Sequence, residues 1–233
     1  MNTPLALAFL FATGALIGWG IEFLFRNLIS HKGPRGEYFI NPGFCQGPYL
    51  PIYGIGVAFM FLISEIVSGL LEGQPRWLVV VAVVIVVMIV MTLLELIGGT
   101  ILLDVLNMRL WDYRDRWGNY RGITCPLFTA IWGTLGGIYF VFLHKIFYRW
   151  LEWFSQNLAF AFFVGLFFGV FVIDLSYSAE KAAAIKEFGD THDMVIQYEL
   201  LKEELEKRRK EMHEKAKFFN QAAQGEARIG GRG

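Results

Sequence analysis

The sequence predicts an all-α protein: a polytopic bundle of transmembrane helices. It has five spans, a broken or re-entrant segment before the second, and a cytoplasmic C-terminal helix. Three observations predict this. Hydrophobic residues make up 55% of the 233 and charged residues 18%, where soluble domains carry about 25% charged, and the mean hydropathy is +0.44. Five stretches reach the roughly 20 apolar residues that a bilayer requires. Lysine and arginine are unevenly placed, with none before Arg26 and eleven from Lys181 onward.

The first span runs from Pro4 to Phe25. It has no basic leader, its apolar stretch is too long for a cleaved signal, and no small-x-small site follows, so it is expected to stay as a helix. The chain from Gly43 to Gly56 is dense in glycine and proline. Pro48 and Pro51 lack a backbone N–H, and Gly43, Gly47 and Gly54 permit dihedrals that helices avoid. A loop with proline in the first helical turn fits this pattern. So does a broken helix, which at membrane depth must be buried in protein or line a polar cavity.

The second span covers Tyr49 to Leu71, the third Trp77 to Leu103, the fourth Pro126 to Phe147 and the fifth Leu158 to Tyr177. Val79 to Val90 is almost unbroken in β-branched residues. In water it would read as a buried strand, but in lipid the need to pair every backbone group forces helix. The expected domains are a five-span membrane domain over 1–177, a charged amphipathic helix over 178–222 and a disordered glycine-rich tail over 223–233. A stripe of Met194, Tyr198, Leu201, Leu205, Arg208 and Met212 gives the helix a heptad-like face, which fits a solvated helix or a short coiled coil.

The positive-inside rule sets the orientation. The loop after span one carries Arg26, Lys32 and Arg35, the loop after span three Arg109, Arg114, Arg116 and Arg121, and the tail eleven more. The other side carries only Arg76, Lys145 and Arg149. The N-terminus is therefore expected outside and the C-terminus in the cytoplasm. Cys45 and Cys125 then face a reducing compartment and stay thiols. With no Cys-x-x-Cys and no histidine pair, a zinc site on these cysteines and His31 is not expected, and no metal or cofactor is.

Polar chemistry collects at the inner face. Helical rise puts Glu22 and Glu95 at similar depth near the ends of spans one and three, with Asp174 beside them and Glu65 nearer the outer side. Carboxylates at such depths face a partner or a cavity. The loop from Asn107 to Pro126 alternates arginine, aspartate and aromatics, which suits an interfacial belt or an anionic head group. Glu22 and Glu95 are expected to share a site, bridged by Arg114 or Arg121, and residues 43–53 are expected to be non-helical against the 111–125 loop. Gly14/Gly18, Gly133/Gly137 and Gly165/Gly169 each allow close helix approach.

The absences are informative too. The formal net charge is zero, so nucleic acid is not an expected partner. The sequence contains no Gly-x-x-x-x-Gly-Lys-Ser/Thr, His-Glu-x-x-His or Gly-x-Ser-x-Gly motif, so it shows no phosphate loop, zinc-protease helix or serine elbow.

Gly18-Trp19-Gly20-Ile21-Glu22, Gly43-Phe44 and Gly47-Pro48-Tyr49-Leu50-Pro51-Ile52-Tyr53-Gly54 resemble the opening signature of the bacterial putative ABC-transporter type IV permease family. Glu95 with Gly99, Trp111-Asp112-Tyr113, Asn119, Gly122, Cys125 and Trp132-Gly133 resemble its later half, in the same order, and the resemblance covers residues 14 to 140. This chain has Pro42 where the family pattern has arginine. The resemblance implies a permease component of the bacterial cytoplasmic membrane, with ATP hydrolysis on a separate subunit and dimerisation to complete a pathway. The expected site comprises Glu22, Glu95, Tyr49, Tyr53, Trp111, Asp112, Tyr113, Arg114, Asn119 and Arg121. An intramembrane enzyme acting on a lipid or lipid-linked substrate, and a membrane scaffold, are the alternatives.

Overall fold

The computed structural model describes residues 3–28, 41–191, 196–198, 201–202, 204–205, 207–209 and 212. His31, Lys32, Arg35, Met194 and the 223–233 tail lie outside the described residues. Helix α1 spans Thr3–Leu28, α2 Pro51–Leu70 and α3 Arg76–Leu106, followed by a two-residue strand β1, Met108–Arg109. Helix α4, Pro126–Ile138, passes through a π-helical turn, Tyr139–Leu143, into α5, His144–Gln156. A 3-10 turn, Leu158–Phe160, leads into α6, Ala161–Thr191, and strand β2 is Ile196–Gln197. Among the described residues, five helical stretches are long and apolar enough to cross a membrane: Thr3–Phe25, Pro51–Leu70, Arg76–Leu106, Pro126–Gln156 and Leu158–Glu187.

Burial follows helical periodicity. On α3 the buried residues are Val83, Val87, Met91, Glu95 and Gly99, a strict four-residue ridge. Ile85, Ile89, Leu93, Ile97 and Ile101 are exposed on the other faces, as expected of a helix that faces lipid on one side and protein on the other. Glu95 therefore stands in the one inward row of this helix.

Glycines set the helix contacts. A Cβ at Gly54 would lie 2.6 Å from the Phe11 carbonyl oxygen of α1, and Gly14 faces Val57. Gly133 and Gly137 of α4 meet Met88 and Val84 of α3. The third pair differs: nothing lies within 4 Å of a Cβ at Gly165 or Gly169. Two of the three expected small-residue motifs thus pack within this chain.

The chain from Asn41 to Leu50 is non-helical, and α2 begins at Pro51. The break is shorter than the sequence suggests, because Pro51 to Tyr53 are already helical; proline fits the first helical position, where its missing N–H has no intrahelical partner anyway. Leu50 N–H donates to the Ala15 carbonyl at 3.0 Å. Ala15 lies halfway along α1, so at 1.5 Å per residue α2 starts about 20 Å below the end of its neighbour. Residues 41–50 occupy the space above it, at the loop end of the bundle.

A cluster of Ala6, Leu10, Met60, Ile63, Val67, Val83, Val87 and Leu151 forms the core towards the far end, where Phe9 stacks on Phe154 at 4.5 Å. At the loop end β1 and β2 pair in parallel, Met108 with Ile196 and Arg109 with Gln197. The residues after the fifth span were expected to form one charged helix from 178 to 222. Instead α6 runs through Ser178 without a break to Thr191, Ile196–Gln197 then pairs as β2, and the described residues from Tyr198 to Met212 are helical.

Gly54→Val should lower the thermal midpoint of the detergent-purified protein by an amount matching about 1–3 kcal/mol of overpacking. Gly165→Ala, with no atom to strike, should leave it unchanged or raise it slightly. Equal destabilisation by both would contradict this assignment of the contacts.

Candidate functional site

Two polar clusters occupy the loop end. The first is built on Asp174, one turn from the end of the apolar stretch of α6. Its carboxylate accepts from Gln46 N–H (3.0 and 3.1 Å), Gly47 N–H (2.8 Å), Tyr49 Oη (2.5 Å) and Ser178 Oγ (3.3 Å). The matching carbonyls are served by Asn41, whose Nδ2 donates to Cys45, Gln46 and Gly47 oxygens, while its Oδ1 accepts from Trp19 Nε1. Lys202 Nζ donates to the carbonyls of Asn41 (3.1 Å) and Gly43 (2.5 Å), and Tyr198 Oη donates to that of Phe44. Most of these bonds satisfy irregular backbone, and a backbone group left buried and unpaired would cost about 1–3 kcal/mol.

Burial pushes the Cys45 thiol up to about 11, helped by the nearby Asp174 charge. It is a fully buried, protonated side chain and an inert one. Pro42 is buried as well, so no cation occupies the position where the family pattern has arginine.

The second cluster surrounds Glu95, which is 4% exposed. Tyr113 Oη donates to Glu95 Oε1 at 3.2 Å, with its ring stacked on Phe128 at 4.0 Å. Burial first, and then the Glu95 carboxylate, push the Tyr113 phenol well above its ordinary value, so it remains a donor. Thr124 and Trp132 stand close enough to act on the same carboxylate. Yet Glu95 Oε2, Thr124 Oγ1 and Trp132 Nε1 are buried without a hydrogen bond. Beside them, Tyr53 Oη donates to Glu22 Oε2 at 3.1 Å, and Tyr53 acts electrostatically on Tyr113. The two glutamates are thus brought to one end, each carrying a tyrosine.

The 107–125 loop presents Tyr113. Trp111 Nε1 donates to the Ile123 carbonyl at 2.8 Å, and Asn119 Nδ2 donates to the Arg114 and Arg116 carbonyls. Tyr113 N–H reaches Gly122 O, closing the turn. Gly122 has φ +69°, and a Cβ there would lie 2.7 Å from Arg114 Cγ, so only glycine fits. Trp111, Asn119 and Gly122 therefore hold the loop and do not reach the carboxylates.

The arginine bridge expected between Glu22 and Glu95 is absent. Arg114 binds Asp112 at 2.6 Å, and Arg121 binds Asp104 at 2.5 Å. The Arg114 guanidinium holds the Asp112 carboxyl below its usual range. Arg114 pairs within its own turn, Arg121 reaches back to Asp104 on α3, and Arg121 itself adopts a left-handed backbone, φ +54°. With Arg109 and Asn107 they line a shallow open cleft of about 560 Å³. Residues 43–53 were expected against the 111–125 loop; Phe44 packs instead on the cluster of Met108, Ala182 and Tyr198 just before that loop. Asn41, Thr124 and Asp174's donors were missed in the sequence because short-range backbone partners leave no spacing signal.

A helical membrane bundle that buries a carboxylate among polar groups at one end is the class this fold and site define. The chain belongs to the family described as Putative ABC-transporter type IV, which matches residues 9–179. It is a membrane permease component. The match extends beyond the 14–140 resemblance and takes in Asp174. No curated protein and no solved structure matches the chain.

Asp174→Ala should free residues 41–50. In a Cys125→Ser background, maleimide labelling of Cys45 should speed up at least tenfold, the factor that about 1.4 kcal/mol of local stability sets. An unchanged labelling rate would show that Asp174 is not what holds the segment.

Proposed function

We propose that this permease component receives a polar group of its substrate at Glu95. The observation that carries the reading is that Thr124 and Trp132 bear on the buried Glu95 carboxylate, while Glu95 Oε2, Thr124 Oγ1 and Trp132 Nε1 all lack a well-formed hydrogen bond. Buried polar groups are normally paired, and an intramembrane carboxylate marks a substrate or ion path by default. The carboxylate accepts, the indole donates and the hydroxyl does either, so the set suits a group that both donates and accepts, such as a hydroxyl. Glu22, Tyr53 and Tyr113 form the adjoining wall, and Tyr49 with Asp174 fixes the segment behind it.

The arginine-rich loop end is the cytoplasmic side of a bacterial cell membrane in this reading, with the N-terminus outside. Residues 1–177 are the membrane domain and the chain from 178 onward is its cytoplasmic extension. Residues 41–50 act as a re-entrant element. A separate ATPase subunit docks on the loop face and tail, and two copies of the chain complete the pathway. A second reading, an enzyme acting on a lipid head group, is favoured by the arginine-lined cleft, which suits an anion. Its arginines, however, are paired with Asp112 and Asp104 and not with the glutamates.

Small molecules extracted from purified protein test the site by mass spectrometry. Glu95→Gln and Thr124→Val should each lose at least tenfold of the bound species, while Glu72→Gln, in the exposed turn after α2, should retain it. Retention in all three would end the proposal. Copurification of an ATPase subunit supports transport, whereas a retained lipid with a cleaved head group supports the enzyme.

Cysteine labelling tests the orientation in a background without Cys45 and Cys125. Ser178 is fully buried, so the exposed Arg208 is the better reporter. Gln74→Cys should react with an impermeant reagent from outside and Arg208→Cys should not; the reverse pattern would invert the topology.

A further inference from the structure

A second polar cluster lies at the far end of the bundle, apart from the Glu95 site. Glu65 of α2 and His144, the first residue of α5, meet at 2.9 Å between Oε1 and Nε2. The imidazole side chain is 13% exposed and the glutamate 45%. His144 Nδ1 and the Tyr139 hydroxyl are both buried without a hydrogen-bond partner, and Tyr139 is 3% exposed. The rings of Tyr139 and His144 lie edge to face with centroids 5.9 Å apart.

The backbone here is unusual. Between these two residues the helix widens into a π turn, and the His144 N–H reaches the Tyr139 carbonyl five residues back. Such turns are rare and occur mostly as insertions at functional sites. This one places a histidine and a tyrosine on the same inward face while leaving both polar tips unused by the fold.

We propose that Glu65, His144 and Tyr139 form a proton-binding site of the permease. With Glu65 as the carboxylate acceptor, Nε2 must carry the hydrogen, which leaves a lone pair on Nδ1. A proton taken from solution binds that lone pair, and the Nε2–H stays on Glu65. No other bond forms or breaks. The pair passes from a net charge of −1 to an imidazolium–carboxylate of net zero. The ring packs against Phe61 and Phe140. The new Nδ1–H then needs an acceptor, a role that falls in this proposal to the unpaired hydroxyl of Tyr139, whose ring lies edge to face with the imidazole. Glu65 and Tyr139 are the ionisable groups facing the ring among the described residues, and Lys145, next in the chain, is exposed. Proton binding also makes both partners of the tie between α2 and α5 charged, an ion pair where before only the Glu65 acceptor was ionised.

The chain has four histidines. Replacing His31, His192 and His213 by glutamine leaves His144 as the only reporter, without altering the site. The protein is prepared in phosphatidylglycerol/phosphatidylethanolamine nanodiscs with 15N-labelled histidine and followed by NMR from pH 4.5 to 9. The expected result is one reversible conversion between neutral and imidazolium forms, with the neutral form protonated on Nε2. Glu65→Gln should demand at least tenfold more protons in solution for half conversion, with an unchanged size-exclusion profile. Tyr139→Phe should move the Nδ1 resonance while leaving Nε2 on Glu65. A histidine that stays in one form across the range overturns the proposal without recourse to any variant. A conversion that Glu65→Gln leaves in place overturns it too.

Discussion

Residues 41–50 lie as non-helical backbone against the middle of α1, and the bundle depends on how their polar groups are paired. Away from water every free N–H and C=O is costly, which is why lipid permits so little irregular chain. Asp174 takes the amides and the Tyr49 hydroxyl, Asn41 serves three carbonyls, and Lys202 and Tyr198 serve three more. Shortening α2 from below in this way leaves room at the loop end for side chains instead of helix. The site around Glu95 occupies that room.

Close helix contact does the remaining positioning. Gly14, Gly18 and Gly54 let α1 and α2 approach until Tyr53 reaches Glu22. The inward ridge of α3 fixes Glu95, and Gly99 on the same ridge admits Ile123 of the loop that carries Tyr113. The polar groups thus stand on rigid elements, with their tyrosine partners held by packing. Rigidity of that kind explains how Thr124 and Trp132 can remain unpaired, since the elements that bear them cannot rotate to satisfy them.

The sequence was most legible where one force dominates. Span lengths answer to bilayer thickness, so the first three were readable to within a few residues, while the fourth continues nine residues beyond Phe147 and the fifth ten beyond Tyr177 as helix. Counting helical rise placed Glu22 and Glu95 at one end, because depth is a linear function of position. Partners were far less legible. Arg114 and Arg121 had several acidic residues within reach, and turn geometry selected Asp112 and Asp104. The π turn at Tyr139 has no sequence signature, so the meeting of His144 with Glu65 could not be foreseen. Asp174 was readable as an inner-face carboxylate, but its partners are backbone amides, which no residue pattern reveals.

The short parallel pair between β1 and β2 has a mechanical meaning. Strand 108–109 runs directly into the loop that holds Tyr113, while Lys202, a few residues past β2, grips the Asn41 and Gly43 carbonyls. The chain beyond α6 is therefore a strap fastened to both loops at once. Whatever prefers one position of that strap must, by thermodynamic reciprocity, bind more or less tightly according to what occupies the bundle beneath. A message can cross from tail to membrane interior here without any helix having to slide.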